Sequence, residues 1–358
     1  MPYRTSIGLD VHARSVSACA LDHLTGEIAQ RSFSEPVPQD IVEWASGFEG
    51  PIRAVYESGP TGFSLARALN ASGLECLVGA TSKMLRPSGD RVKNDRRDAV
   101  LLARMLSTGN IPEVRIPDPE QEAAKDLVRM RETARAALTA AKLRLSHFLL
   151  RKGYSYEKGK KTWTRAYEDW LRHLVFDSEL DRAVFDELLA DVLAARDRKE
   201  RLQKMVEEQA RSARWSPMVS RLSCMKGVSS YTALAIAVEI GDFSRFPNAR
   251  AFQSYVGLLT TENSTGAKVH TGGVTKTGNA LVRKLLVEAS WLYLRPRMLN
   301  PTIASDGVPA QVAEHARKGC MRLKKRAAHL QSRGKKGCVV VTAISRELAG
   351  WLWALATM

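Results

Sequence analysis

The first 117 residues alternate short apolar runs with amphipathic segments. Runs of four to seven apolar or alternating positions predict five strands, and apolar positions at helical spacing predict three helices. The strands are expected at residues 5–9, 15–21, 28–33, 52–56 and 75–78, and the helices at 38–45, 62–71 and 95–106. Three strands joined by short turns and followed by strand-helix-strand units predict an α/β sheet.

From about residue 118 the apolar residues recur at helical spacing over long stretches. They predict two long amphipathic helices, one running through Leu127 and Phe148 and one through Leu180 and Val206. This pattern is typical of a coiled-coil arm, whose usual role is core packing or oligomerisation. A third, mostly helical segment starts near Trp215. The fold class expected is therefore α/β plus α, with an N-terminal sheet of the ribonuclease H type, a helical coiled-coil middle and a helical C-terminal domain.

Length and charge narrow the class of protein. A chain of 358 residues suggests two or three domains, here 1–117, 118–214 and 215–358. Lys and Arg outnumber Asp and Glu by 54 to 38, which leaves a net charge of +16 and favours a polyanionic partner over a merely soluble basic surface. We expect no membrane association and a cytoplasmic location, because neither a signal peptide nor an apolar run near the roughly 20 residues of a membrane span is evident. Five scattered cysteines indicate neither zinc nor disulfides.

Two basic segments favour nucleic acid as the polyanionic partner. Residues 151–170 interleave cations with aromatic residues, which suits looped or single-stranded nucleic acid, although a solvated loop with core aromatics is the alternative. Residues 317–336 carry nine Lys or Arg and no acid, and such uncompensated cations repel one another without a polyanion. The contact candidates in these segments are Lys160, Lys161, Trp163, Arg322, Lys324, Lys325 and Arg326.

Four acids stand where strands end or a helix begins. Asp10 follows an apolar strand, Glu57 ends another, and Asp95 and Asp98 share one face of a predicted helix. Any one of them alone could be a helix cap or a surface charge. Carboxylates that converge need a cation, and their oxygens suit Mg²⁺ or Mn²⁺. A metal site in a basic protein indicates phosphodiester chemistry.

Residues 255–290 form a second candidate site. Glycines allow a backbone to approach a phosphate closely, and Lys268, His270, Lys276 and Arg283 supply positive charge. Ser264 lies in this segment and could act as a nucleophile whose transition state the cations or a metal stabilise. From the residues alone, it could simply be a turn former.

The motifs G-x-D-V-H, Y-E-S-G, K-N-D-x-x-D-A, S-T-G-x-K and G-G-V-T-K-x-G-N-x-x-x-R occur in this order. In these motifs the chain resembles the DEDD transposases of bacterial insertion sequences, the family conventionally numbered one-ten. The resemblance covers nearly the whole chain. It implies a RuvC-like N-terminal domain, Asp10, Glu57, Asp95 and Asp98 as the four metal-binding acids, and Ser264 as the nucleophile. Thr260 stands where the family commonly has proline, and Thr265 offers an alternative hydroxyl.

The resemblance also implies a function. It indicates a recombinase that cleaves and rejoins DNA through a phosphoserine intermediate, guided by a structured non-coding RNA, the bridge RNA, which pairs with donor and target DNA. A homo-oligomer is expected, a dimer that forms a tetramer on DNA. The protein is expected to associate with the nucleoid. Two other functions fit the residues. One is a metal-dependent junction nuclease of the RuvC type without a covalent serine, and the other is a non-enzymatic nucleic-acid-binding protein.

Overall fold

The computed structural model describes residues 3–81, 84, 95–157, 162–262, 270–295 and 307–358. The chain forms two compact units, Met1–Asp118 and Pro119–Met358. The first unit is built on a mixed sheet, and the described part of the second is helical apart from one small hairpin. The predicted combination of an α/β sheet with a mostly helical remainder is therefore confirmed.

Five strands form the sheet of the first unit, and each matches a predicted one. They are β1 Thr5–Val11, β2 Ser15–Asp22, β3 Ile28–Ser34, β4 Ile52–Glu57 and β5 Glu75–Gly79. Their order across the sheet is β3-β2-β1-β4-β5, with β2 antiparallel to both β1 and β3 and with β4 parallel to both β1 and β5. The carboxyl ends of β1 and β4 consequently lie side by side at one edge.

Three helices accompany this sheet: α1 Pro38–Ser46, α2 Ser64–Ala71 and α3 Asp95–Ser107. Alternation along the strands gives each face its own partners. Ile7, Leu9 and Tyr56 are fully buried in the core shared with α1 and α2. Val55 is buried on the other side, in a cluster with Leu102 of α3. Helix α3 therefore covers the sheet face opposite to α1 and α2.

The second unit contains nine helices among its described residues. These are α4 Pro119–Arg151, α5 Arg165–Arg172, α6 Glu179–Ala210, α7 Ser216–Ser223, α8 Ser230–Ile240, α9 Ala249–Tyr255, α10 Ala280–Ser290, α11 Ala310–Ser332 and α12 Gly337–Thr357. A 3-10 turn, Trp291–Leu294, follows α10, and a hairpin of β6 Thr260–Glu262 and β7 Thr271–Val274 precedes it. Every residue of α8 after Ser230 is buried, so α8 forms the centre of this unit.

The two long predicted helices are α4 and α6, and they pack antiparallel. Ion pairs join Arg214 to Glu120 at 2.7 Å near one end and Lys152 to Asp181 at 2.7 Å near the other. At the first end Val128 enters the same core as α7 and α8. The segment expected as a separate middle domain at 118–214 therefore belongs to the same compact unit as the C-terminal segment, because its helices help to build that core. A coiled coil stays a prediction.

The expectation that no apolar run approaches the length of a membrane span was wrong. Helix α12 has 21 residues and a window of mean hydropathy 1.4, which is long and apolar enough to cross a membrane. Its apolar character has a different use in this fold. Ile344, Leu348 and Leu352 are fully buried in the core of the second unit. Length and composition alone therefore do not distinguish this core helix from a membrane span.

Candidate active site and nucleic-acid interface

Gly8 brings α3 into direct contact with β1. A Cβ atom at this position would lie 2.1 Å from the carbonyl oxygen of Ala99 and 2.5 Å from the amide nitrogen of Ala103. Both distances are far shorter than a van der Waals contact, so only glycine permits this approach. Asp95 and Asp98 occupy the first turn of the same helix. Gly8 therefore sets the distance between these two acids and the end of β1.

Strand alternation and register bring Asp10 and Glu57 to the same place. Asp10 lies two residues after Gly8, and Glu57 lies two residues after Val55, so both occupy the face covered by α3. The parallel pairing of β1 with β4 sets Leu9 opposite Tyr56. Asp10 and Glu57 come next on the two strands and therefore lie at the same level of the sheet edge.

His12 joins two of the acids. Its Nε2 lies 3.2 Å from Oδ2 of Asp10 and 3.6 Å from Oδ2 of Asp95. One ligand atom from each of these three residues lies within 4.8 Å of the others. Asp95 and His12 are exposed, whereas Asp10 is half-buried. The structure thus brings Asp10 and Asp95 together, and their role as metal ligands stays a prediction.

A cleft of about 940 Å³ opens in front of the acids. Asp10, His12, Glu57 and Asp98 all line it. The wall beside Glu57 is a turn of small residues, Ser58 to Thr61. Three of the four predicted acids therefore face one concave space, and Asp95 contacts the same group through His12.

The acids influence one another electrostatically. Burial raises the pKa of Asp10, and the negative charges of Asp95 and Asp98 raise it further, while His12 opposes the shift through its hydrogen bond and its charge. The protein itself therefore does not fully offset the free-energy cost of ionising Asp10. A cation bound between the carboxylates would relieve this cost.

The donor set fits a hard divalent cation. The four acids offer carboxylate oxygens, which are the ligands that Mg²⁺ and Mn²⁺ prefer. His12 occupies a position between Asp10 and Asp95, so these two carboxylates are spaced to share one positively charged group. Asp10, Glu57, Asp95 and Asp98 are accordingly the residues that would hold the metal, and the imidazole of His12 is available beside them.

The predicted nucleophile lies outside the described residues, as do Thr265, Lys268, Lys160 and Lys161. The structure describes the strands on either side of the segment that contains Ser264, residues 263–269. Strands β6 and β7 flank residues 263–269 on either side. His270 and Lys276 are exposed beside them.

The turn after β7 is fixed by close backbone contacts. Gly257 and Gly278 both adopt positive φ, and a Cβ atom at Gly278 would lie 1.8 Å from the carbonyl oxygen of Tyr255. The guanidinium of Arg283 donates hydrogen bonds to the carbonyl oxygens of Val256 at 3.0 Å and of Thr277 at 2.8 Å. Arg283, a candidate for nucleic-acid contact, thus supports this turn from within the protein.

The aromatic residues of the linker pack against one another. Tyr167 is buried and lies 5.4 Å from Trp163 and 5.1 Å from Tyr156, measured between ring centroids. Nζ of Lys142 lies 4.5 Å from the centre of the Trp163 ring. The rings fill the space between α4, α5 and α6, so their described contacts are those of a core. Nucleic-acid contact by Trp163 stays a prediction, and only the half-exposed part of its ring is available for it.

The cations of α11 divide into two groups. Arg322 is paired with Glu347, and Nζ of Lys324 donates to the backbone oxygens of Tyr293 and Arg295. Lys325 and Arg326 are exposed and have no ion-pair partner among the described residues. They line a shallow surface groove of about 670 Å³ with other residues of the same helix. Lys325 and Arg326 are therefore the members of the predicted set best placed to contact a polyanion.

Two functional residues were not assigned from the sequence. Gly8 carries a signal, since a glycine inside an apolar strand marks a close backbone approach. His12 carries another, because a histidine two residues after Asp10 projects from the same side of an extended chain. Neither signal identifies the helix or acid that makes the contact.

Comparison with known proteins gives consistent matches over both units. The sequence model of the family described as transposase IS116/IS110/IS902 matches residues 219–302, and the sequence model of a second transposase family matches residues 7–153. The putative transposase y4qE of Sinorhizobium fredii is 39% identical over 303 residues, covering 84% of this chain and 74% of the relative. The transposase for insertion sequence element IS1533 of Leptospira borgpetersenii is 28% identical over 343 residues, covering 94% and 99%.

Proposed function

The chain belongs to the IS116/IS110/IS902 family of transposases, and on that premise we propose that it cleaves and rejoins the DNA strands of an insertion sequence through Ser264, assisted by metal-binding acids. The observation that carries the proposal is the convergence of Asp10, Glu57 and Asp98 on one cleft. A cluster of carboxylates in a protein of net charge +16 suits metal-assisted chemistry on a phosphodiester.

In the proposed cleavage, Oγ of Ser264 forms a bond to the scissile phosphorus and the bond from phosphorus to the 3′ oxygen breaks. The serine loses its proton and the 3′ oxygen gains one, so the products are a phosphoserine link and a free 3′ hydroxyl. Joining is the reverse, with a 3′ hydroxyl of another strand attacking and Ser264 leaving. One phosphoester replaces another in each step, so no external energy source is needed. A divalent cation held by the acids supplies neutralisation of the phosphate charge.

The partners proposed are donor and target DNA and a structured guide RNA, with the protein acting in the cytoplasm at the nucleoid. The guide RNA rests on the family resemblance, and the unpaired cations of α11 support a polyanionic partner without distinguishing RNA from DNA. Sequencing the RNA that copurifies with the protein tests this part. One predominant structured RNA is expected, and random fragments would contradict guidance.

An oligomer is also proposed. Leu150, Val175 and Leu180 are 73%, 78% and 79% exposed near the end of the helix pair that is marked by the ion pair of Lys152 with Asp181. Large apolar side chains that are exposed near one another favour contact with another protomer. Light scattering should give a mass of at least two chains, and replacing Leu180 by Glu should lower it. A monomeric parent at micromolar concentration would contradict this proposal.

Denaturing gels of the protein with cleaved DNA test the chemistry. We expect a covalent protein–DNA adduct in the presence of Mg²⁺ that Ser264→Ala abolishes and that the matched control Thr265→Val retains. Asp10→Asn and Glu57→Gln should each lower adduct formation by at least about 100-fold, because each removes a ligand of the metal that stabilises the transition state.

The alternative function is a metal-dependent nuclease in which water attacks. It is favoured by one observation, that Asp10, Glu57 and Asp98 line one cleft and Asp95 lies beside Asp10 at His12, since carboxylates of this kind can hold metal for attack by water. Under this alternative, Ser264→Ala still cuts DNA with Mg²⁺ and no adduct forms in the parent. That pair of results would replace the recombinase proposal.

A further inference from the structure

The glycines around the serine segment differ in what requires them. Gly257 and Gly278 have positive φ and would clash with neighbouring backbone if they carried a Cβ atom. A Cβ atom at Gly272 would lie 2.4 Å from Oγ1 of Thr261. Gly273 is different, because its φ is not positive and a Cβ atom there would meet nothing within 4 Å. No feature of the described fold requires glycine at position 273.

Gly273 borders a cavity of about 510 Å³ between the β6–β7 hairpin and the N-terminal half of α12. Leu258, Val274 and Val339 give this cavity an apolar surface, and Val339 is 52% exposed. Its size lies within the range of small-molecule sites. A glycine inside a strand commonly marks a place where a ligand approaches the backbone. The cavity provides the room for such a ligand.

Two cations border the same cavity. Lys276 and Arg346 both line it, and neither side chain has an ion-pair partner among the described residues. Lys276 also adopts a φ of +57°, in the left-handed region that non-glycine residues rarely occupy. The hydrogen bond from its amide to the carbonyl oxygen of Gly257, at 3.1 Å, holds it there. Backbone strain of this kind concentrates at functional sites.

From these observations we infer that the cavity binds an unstacked nucleobase of the DNA strand being cut, with the adjacent phosphates on Lys276 and Arg346. An apolar surface matches the face of a base, and the hydroxyls of Thr260 and Thr342 can bond to its edge. The two cations match the phosphates on either side of a nucleotide. The strand is assigned as DNA because the cavity wall, β6 and β7, brackets the segment that contains Ser264. This inference rests on the proposed function and extends it to a subsite.

Cys338 gives a direct probe of this cavity. It lines the cavity and is exposed, whereas Cys19, Cys76, Cys224 and Cys320 are buried. Ellman's reagent should therefore react first with Cys338, and Cys338→Ser should remove that fast phase. The full-length Ser264→Ala protein is used, so that no DNA becomes covalently attached.

Single-stranded oligodeoxythymidylate should protect Cys338. At ten times its dissociation constant it should slow the fast phase about tenfold, because only about one protein molecule in eleven is then unbound. A fully paired duplex of the same length should give little protection at equal occupancy. An unchanged rate at saturating single strand, with binding verified by fluorescence anisotropy, would overturn the inference. Protection by the duplex to the same extent, or by oligouridylate alone, would also overturn it.

Gly273→Val provides the matched perturbation. The added side chain enters the cavity, so single-strand affinity should fall about tenfold or more, within what loss of one base contact costs. Valine favours a strand and would meet no atom at Cβ, so the melting temperature should not fall. Thr271→Val, exposed on the same strand and outside the cavity, should leave affinity unchanged. Arg346→Gln should weaken single-strand binding as well. Parent-like affinity in both Gly273→Val and Arg346→Gln would contradict the subsite.

The two proposals can fail separately. Protection of Cys338 by single-stranded DNA in a protein that never forms a covalent adduct would leave the cavity and remove the serine mechanism. An adduct in the parent without any protection of Cys338 would leave the mechanism and remove the cavity.

Discussion

Replacing Gly8 by alanine should separate the acids without unfolding the sheet. The new Cβ atom would lie 2.1 Å from the carbonyl oxygen of Ala99, whereas an ordinary contact begins near 3.4 Å. Helix α3 must therefore move by about 1.3 Å, since the three contacting atoms are two backbone atoms and the Cβ atom of Leu102, which cannot turn away. Asp95 and Asp98 move with it, away from Asp10 and the end of β4.

The magnitude follows from this displacement. A misplacement of about 1 Å in a catalytic arrangement costs on the order of 100-fold in rate, so DNA cleavage should fall by roughly that factor. Overpacking of one methyl group against a helix costs about 1–3 kcal/mol of stability. Gly8→Ala should therefore remain folded at 25 °C but lose most of its activity, and half-maximal cleavage should require more Mg²⁺.

The assay compares Gly8→Ala with a variant of similar or lower stability. Leu69→Ala removes a fully buried side chain from α2, which covers the opposite face of the sheet, and costs about 2–5 kcal/mol. Cleavage rates over a range of Mg²⁺ concentrations and thermal unfolding curves are measured for both. Leu69→Ala should keep near-parent activity below its melting temperature. Equal activity losses in the two variants, or parent-like activity in Gly8→Ala, would show that the approach of α3 to Gly8 does not position the acids.

Three further predictions concern stability, pH and salt. Arg129→Ala removes the ion-pair partner of buried Glu239, joined to it by hydrogen bonds of 2.7 and 3.0 Å, and should lower the free energy of unfolding by about 3 kcal/mol in denaturant titrations. Because burial raises the pKa of Asp10, its ionised form opposes folding, so without divalent metal Asp10→Asn should melt at a higher temperature than the parent at pH 7. That difference should disappear as the pH falls below the ordinary carboxyl value of about 4, and a lower melting temperature at pH 7 would contradict it. Lys325→Gln should reduce the slope of log affinity against log salt for nucleic acid by about one, whereas Lys324→Gln, which loses hydrogen bonds to the backbone, should lower the melting temperature and leave the slope unchanged.

The sheet and the positions of the four acids at its edge were predictable because their signals are local. Each strand has its own apolar pattern and turn residues, so β1 to β5 appear within two residues of their predicted ends. The convergence of Asp10 with Glu57 follows from one further rule, that parallel strands end at the same edge. The fold adds the register that brings these two acids level.

Contacts between distant segments were not predictable from these patterns. An aromatic residue has the same letter whether it stacks on a base or on Tyr167, so the sequence left both interpretations of the linker rings open, and in the structure these rings lie in a cluster. Leu180 and Val184 fit an apolar stripe at helical spacing, yet both are exposed in the described structure. Periodicity identifies a helix face but does not identify what covers it. The approach of α3 to Gly8 has the same origin, since it depends on segments about 90 residues apart.

The identity of the residue that becomes linked to DNA decides whether Ser264 is the nucleophile. The full-length protein is incubated with DNA carrying the ends of its insertion sequence, Mg²⁺ and the copurified RNA, then digested with nuclease and protease and analysed by mass spectrometry. We expect a peptide with a nucleotide phosphate on Ser264. Attachment to another residue, or efficient metal-dependent cleavage with no modified peptide at all, would contradict it.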